Sequence, residues 1–442
     1  TVLALLLGTV VLSARVAQLT VLRHNESLAA ALDNVESVRR LEAPRGNIRD
    51  ARGEPVALNR KAYSLTFSRQ GLSDERAADL LRGLSELMGE DFAAKAPEIL
   101  ATRPTWTRHS LARRLPESAV TAILERPADF PGVRVSPDFI REYPLGPAMA
   151  PVVGYVGKIL SSEVDRFRSP LYLPDAFVGR GGVERHYEEV LVGQPGRERR
   201  TLDARGRLLD EPAIEVAARP GSDLHLTIDA RLQVLAHDLL AGQRGTMILM
   251  DARTGDLVVM ASRPTFDPSA PWLEEVDGEP VSFLNHAHQG SYPPASTFKP
   301  VAATAFLRAG VLPTDKVNSP GYFMLPGWNY RWRCSSGFTG PTSLSDALKY
   351  SSNVYFYSNA HVLGGASVLA AARAFGYGQP TGVDLPGERA GSLGRSDDPG
   401  PGETLNVSIG QGALLATPLQ VARSIAAIAN GGNLVRPRVV GA

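Results

Sequence analysis

The chain has 442 residues, 43% of them hydrophobic and 21% charged, which suits roughly two to four globular domains with sizeable cores and excludes a disordered chain. Lys and Arg number 47 against 46 Asp and Glu, so a net charge of +1 gives no electrostatic reason to expect nucleic acid or a strongly acidic partner. The single cysteine, Cys334, excludes an intramolecular disulfide and leaves stability to core burial.

The chain opens "TVLALLLGTVVLSARVAQLTVL", with no charge over residues 1–14. A membrane span needs about 20 apolar residues, and the apolar core of a cleavable signal peptide needs about 7–15. Here the run flows without Gly or Pro breakers into "SLAAALDNVESVRRL", whose apolar spacing is helical. We therefore expect a partial, uncleaved membrane anchor over residues 1–22 that continues as helix, with the remainder working at a membrane surface outside the cytoplasm.

From Glu42 the texture changes. "EAPRGNIRDARGEPVALNRKAYSLTFSR" reads as turns and strands, residues 72–128 as short amphipathic helices, and "PGVRVSPDFIREYPLG" as strand and turn again. A helix is expected from Ser161, and "GRGGVERHYEEVLVG" gives a Gly-rich approach to another ending near Gly193. That turn lacks the fuller phosphate-binding fingerprints. The basic "RERR" at 197–200 reads as a solvated face. A Pro/Gly break near 215 precedes the strand "DLHLTI" and Asp229, a suitable helix cap. This divides a non-catalytic unit over 23–214 from a second over 215–442. In the second, "GTMILMDARTGDLVVMAS" predicts a hairpin of buried strands, and helices are expected at about 296–309, 342–363, 366–375 and 416–430. Strands followed by helices predict an α/β sandwich, one antiparallel sheet with helices against it, in an α+β multidomain chain.

The chemistry concentrates in "PPASTFKPV". Ser296 and Lys299 are three apart, so a helical turn sets hydroxyl and amine on one face. A serine becomes a useful nucleophile when a base takes its proton, and a lysine can do so when desolvation or a cationic neighbour lowers its pKa. Ser-x-x-Lys alone is also an ordinary helix cap beside a solvated lysine. The second stretch, "ALKYSSNVYFYSN", adds Ser351, whose hydroxyl could relay a proton to a leaving amine, and Asn353, whose amide could hold both Lys299 and a substrate amide. Its bland alternative is a helix-to-loop cap.

"ASTFKP" followed by "SSN" resembles the first two motifs of the penicillin-recognising serine acyltransferases. "APRGNIRDARGEPVA", "REYPLGPAMAPVVGYVG", "GRGGVERHYEEVLVGQPG", "LTIDARLQ", "TGVDLPGE" and "LNVSIGQGALLATPLQVARSIAAIANGG" extend the resemblance to class B penicillin-binding proteins over nearly the whole chain. "WRCSSG" and "SSNVYFY" are similar to the elongation type, penicillin-binding protein 2. The resemblance implies a D,D-transpeptidase, single-pass in the inner membrane, that crosslinks peptidoglycan stem peptides and is trapped by β-lactams. Ser296 would be the acylated nucleophile, with its backbone N–H in the oxyanion hole. Lys299 would be its base, and Ser351 and Asn353 would assist. The first unit would be a pedestal contacting a SEDS-family glycosyltransferase of the RodA type.

The family's third motif, Lys-Thr/Ser-Gly, has no match, because no lysine follows Lys349. We expect a sequence truncated before that strand, which as it stands would be inactive. No cofactor and no metal are expected, since Cys334 has no paired ligand spacing around it. Glu403 and Asn406 in "GETLN" are three apart, where a deacylating β-lactamase pattern needs four, which argues against hydrolysis. The alternatives are a carboxypeptidase or β-lactamase on the same fold, and a scaffold that activates a membrane glycosyltransferase with acylation dispensable.

Overall fold

A computed structural model describes residues 36–105, 107–172, 176–201 and 213–441, with isolated positions before residue 20. The expected anchor over 1–22, apart from those positions, lies outside the described residues. Among the described residues no helix is long and apolar enough to cross a membrane.

The first part contains, in chain order, β1 (Glu36–Leu41), β2 (Ile48–Arg49), β3 (Pro55–Phe67), α1 (Asp74–Met88), β4 (His109–Ala112), α2 (Glu117–Glu125), β5 (Val133–Glu142), α3 (Gly182–His186), β6 (Gly196–Thr201), β7 (Ala213–Val216) and β8 (Leu224–His225). The helix expected to run through "ESVRRL" is instead β1. Every residue of it pairs antiparallel with β6, and a non-local partner of that length overrides the weak helical preference of the segment. The "RERR" run correspondingly lies inside β6, between β1 and β7, with Arg200 and Glu198 paired at 2.6 Å. The long β3–β5 ladder, from Leu58↔Glu142 to Phe67↔Val133, carries α1 on one face. Ser73 caps α1, Gly89 ends it in the left-handed region at φ 68°, and Ala77, Leu80, Leu81 and Leu84 bury at helical spacing against Leu65, Phe67 and Leu111. The helix expected from Ser161 is a single 3-10 turn, Ser161–Glu163. Leu160 and Val164 remain exposed there, so no buried face supports further turns.

The motifs "APRGNIRD" and "GRGGVERHYEE" meet in a buried ion network. Glu184, fully buried, accepts from Arg141 at 2.7 Å and Arg45 at 2.9 Å, and Arg45 also reaches Glu188 at 2.9 Å. Burial alone would push the Glu184 carboxyl up, but Arg141 and Arg45 outweigh it and hold the group below the usual range.

The second part begins at α4 (Ala230–Leu239), capped as expected by Asp229, which accepts from the N–H groups of Arg231 and Leu232. The expected hairpin follows as β9 (Gly245–Met250) and β10 (Leu257–Arg263). Of the two, β10 is the more deeply buried, with Val258 alone partly exposed. Alternate residues of β9 face solvent, Leu249 at 51%, because one face alone is covered, by α10 (Pro418–Ala429). The helices that build the site are α5 (Lys299–Arg308), α6 (Leu344–Lys349), α7 (Asn353–Leu363), α8 (Gly365–Ala374) and α9 (Pro401–Ser408). The helix expected over 342–363 is therefore two, and α9 was not foreseen. Phe298, Phe306, Tyr355, Phe356, Tyr377 and Leu405 fill the core between them.

The two parts share a second core, in which Ile48, Val56, Met149 and Val183 pack with Leu257, Met260, Val383 and Leu419. Hydrogen bonds reinforce it. Asp50 accepts from the Ala230 N–H at 3.0 Å, Arg52 pairs with Asp229 at 2.7 Å, and Tyr187 donates to Asp384 at 2.8 Å. The first part is thus joined to the first turn of α4 and to the loop after α8 by continuous packing.

Candidate active site

Ser296 lies on a 3-10 turn, Ala295–Phe298, that runs directly into α5 at Lys299. In a 3-10 turn, side chains three apart eclipse, which brings the serine and lysine closer in direction than an α-turn would. Ala295 is left-handed at φ 49°, and its N–H donates to the Gly410 carbonyl at 2.8 Å. Gly410, itself at φ 71°, has no room for a side chain, since a Cβ there would sit 2.3 Å from the Ala295 oxygen. Tyr292 and Ala416 exchange backbone bonds at 2.9 and 2.8 Å. The turn that carries Ser296 is thereby fastened to the segment after α9, and a strained backbone presents Ser296 to solvent.

Lys299 is the opposite case, 1% exposed with its amine over the Phe356 ring at 5.4 Å. It donates to the Ser351 carbonyl at 2.8 Å, the Ser351 Oγ at 3.0 Å and Asn353 Oδ1 at 2.7 Å. Ser351 Oγ donates in turn to Ser296 Oγ at 2.9 Å. All four residues singled out in the sequence are brought together. Ser351 stands between Lys299 and Ser296, and Ser296 is not among the oxygens the amine bonds.

The break between α6 and α7 makes this possible. Ser351 adopts φ 54°, a left-handed conformation unusual for a residue with a side chain, and so turns both its carbonyl and its hydroxyl toward the amine. Asn353 opens α7 with its amide fixed from both ends. Its Nδ2 donates to the Arg333 carbonyl at 3.3 Å and its backbone N–H to the Cys334 sulfur at 3.4 Å. Cys334 is buried and packs beneath the site, where it accepts from the Asn353 N–H. Among the described residues no group of His, Cys, Asp and Glu could hold a metal ion. Glu403 accepts from the Ala413 N–H at 2.6 Å and ties the loop after α9.

Burial lowers the Lys299 pKa to about 8, with a small opposing contribution from Cys334. A neutral amine has two donor hydrogens and one lone pair. The Ser351 carbonyl and Asn353 Oδ1 can only accept, so they take the two hydrogens and leave the lone pair facing the Ser351 hydroxyl. That hydroxyl can then donate to nitrogen while accepting from Ser296. The contacts offer a proton path from Ser296 through Ser351 to Lys299. At the start of the turn the Ser296 N–H belongs to the unpaired first donors, available to a developing oxyanion.

The supporting role of Gly410 and the backbone tie through Arg333 were missed by sequence reasoning. The glycine in "SIGQG" was the only local signal for the first, and the second is a non-local carbonyl contact with no signal at all.

Two family models match the chain, the penicillin-binding protein dimerisation domain over residues 40–226 and the penicillin binding protein transpeptidase domain over 245–442. The chain is 34% identical to peptidoglycan D,D-transpeptidase MrdA of Acinetobacter baumannii over 97% of its own length, and 32% identical to MrdA of Escherichia coli K12 over 99%. It spans 66% of the first relative's length, just under two thirds, and 72% of the second's. Among solved structures it is similar to a chain from a study of structural coordination of polymerization and crosslinking by a peptidoglycan synthase complex. That match has a TM-score of 0.70 at 28% identity and covers 100% of this chain and 78% of that one.

Proposed function

The chain belongs to the class B penicillin-binding proteins, in the branch of the MrdA peptidoglycan D,D-transpeptidases, and from that membership we propose that Ser296 is its acylated nucleophile. The observation that carries this reading is the chain of contacts from Ser296 through Ser351 to a buried Lys299.

In the proposed reaction Ser296 Oγ attacks the carbonyl between the two D-Ala residues of a donor stem peptide, and its proton passes through Ser351 to the Lys299 amine. The Ser296 N–H steadies the oxyanion, a kind of donor whose removal costs about 3–4 kcal/mol. The peptide C–N bond then breaks, the proton returns to the leaving nitrogen, and D-Ala departs. An amine on a neighbouring strand attacks the ester, gives its proton to the same base, and forms the crosslink as Ser296 regains its hydrogen. A β-lactam would acylate Ser296 by the same first step.

This activity serves wall synthesis during cell elongation, on the outer side of the inner membrane, with residues 1–22 as a single-pass anchor. Residues 23–214 act as pedestal and 215–442 as the transpeptidase part. The partner is a SEDS-family glycosyltransferase of the RodA type, supported by the similarity to a chain studied for coordinated polymerization and crosslinking.

Mass spectrometry of the full-length protein after labelled penicillin tests the assignment. One adduct is expected, on the peptide holding Ser296, and none in Ser296→Ala. Attachment to another residue would overturn the site.

A further inference from the structure

The Gly-rich run "GRGGVER" borders a cleft of about 270 Å³ that lies between the two parts of the chain and away from Ser296. Tyr155, Gly182 and Arg185 line it from the first part, and Phe266, Phe283 and His288 from the second. Gly154 and Gly182, at φ 77° and 54°, let segments 152–154 and 181–182 meet backbone to backbone. A Cβ on the first would lie 1.9 Å from the Gly181 oxygen, and one on the second 2.3 Å from the Val152 oxygen. Asn285 joins the parts beside the cleft, its Nδ2 donating to the Pro151 carbonyl at 2.9 Å.

Three features of the lining point to a ligand. The rings of Tyr155, Phe266 and Phe283 form a mutual cluster, with centroids 4.8 to 5.8 Å apart, and Phe283 remains 52% exposed. His288 is 2% exposed, and its Nε2 lies 3.2 Å from the Pro386 carbonyl oxygen, which can only accept. Burial holds the ring below its ordinary pKa and so neutral at pH 7, which puts the proton on Nε2 and a lone pair on Nδ1. That Nδ1 is the one buried side-chain nitrogen or oxygen of the lining without a hydrogen-bond partner. Of the two arginines in the lining, Arg180 is paired with Glu163 at 2.6 Å, whereas the exposed Arg185 side chain has no partner among the described residues.

We infer that this cleft is a second binding site, for a small aromatic carboxylate that also carries a neutral N–H, the chemistry of an N-acylated aromatic amino acid. The ligand's ring joins the aromatic cluster, its N–H donates to His288 Nδ1, and its carboxylate meets Arg185. One uncompensated arginine beside a neutral imidazole selects a single negative charge, and an ammonium in place of the N–H would cancel that match. The cleft is smaller than the roughly 300–1,000 Å³ of drug-sized sites, which limits the ligand to about one capped residue. Such a ligand touches both parts of the chain at once. The site is independent of the acyl-transfer reading, since none of its groups touches Ser296, Lys299, Ser351 or Asn353.

The test titrates N-acetyl-phenylalanine into the full-length protein labelled with 15N at histidine, the His288 signals being assigned with His288→Gln. Saturable binding with a Kd of about 1 mM is expected for a ligand of this size, with the His288 Nδ1 resonance moving upfield as it accepts a hydrogen bond. Two probes separate the contacts. 3-Phenylpropionate, which lacks the N–H, should leave the Nδ1 resonance in place, and N-acetyl-phenylalanine amide, which lacks the carboxylate, should bind about tenfold more weakly. Arg185 and Phe283 are exposed, so their variants should fold. Arg185→Gln should raise the Kd of the acid about tenfold and erase its advantage over the amide, and Phe283→Ala should raise it about fivefold. The site is overturned by an absence of saturable binding, by an acid-over-amide preference that survives Arg185→Gln, or by binding that slows penicillin acylation competitively and leaves His288 unmoved.

Discussion

Replacing Lys299 with Met is expected to slow penicillin acylation of Ser296 by about a thousandfold, within the range that positioned general bases contribute. Met matches the length of the buried stem and removes the amine, so the variant asks about proton transfer more than packing. It leaves the Ser351 carbonyl and Asn353 Oδ1 without their donor, at about 1–3 kcal/mol for each buried acceptor, but also removes a poorly solvated ammonium. Folding should survive, which the thermal unfolding midpoint checks. The pH dependence should change as well. Burial depresses the Lys299 pKa to about 8, so below that pH the neutral, basic form grows about tenfold per unit and above it saturates. Acylation in the unsubstituted protein should accordingly rise to a plateau past pH 8, and the Met variant should lose the rise. An unchanged single-turnover rate would refute the amine as base.

Replacing Ser351 with Ala is expected to cost about 100-fold or more in the same assay. The hydroxyl is the one atom that bonds both Lys299 and Ser296, at 3.0 and 2.9 Å, so its loss opens the proton path in the middle. Ser351→Gly separates chemistry from backbone strain. Glycine adopts φ 54° without penalty, so a strained turn would be relaxed by it, whereas a missing relay would be as slow as in Ala. If either variant acylates within a few-fold of the original, Lys299 takes the proton from Ser296 without help.

The parts of this account that were legible in the sequence are those written in local spacing. Ser296 and Lys299 at three residues, the "SSN" stretch, the cap at Asp229 and the β9–β10 hairpin all depend on neighbours within a few positions. What escaped depends on partners far along the chain. Residues 36–41 have helical spacing but pair with 196–201, and β9 looks as apolar as β10 although one of its faces meets no helix. The break at Ser351 was hidden because no glycine or proline marks it, and the left-handed turn is imposed by contacts to a lysine 52 positions away. Helix α9 was missed where Gly400 and Pro401 begin it, since "GETLN" drew attention as possible chemistry. That Ser351 lies between the other two groups was not legible either, because spacing alone does not reveal which hydroxyl falls in the middle.

The measurement that bears most directly on all of this is an NMR titration of the Lys299 side chain, labelled at Cε and assigned by comparison with Lys299→Met. A midpoint near 8 is predicted, as burial among Phe356, Ser351 and Asn353 requires. A midpoint at the ordinary lysine value of 10.5 would mean an amine that stays charged at working pH, and would contradict its role in drawing the proton from Ser296.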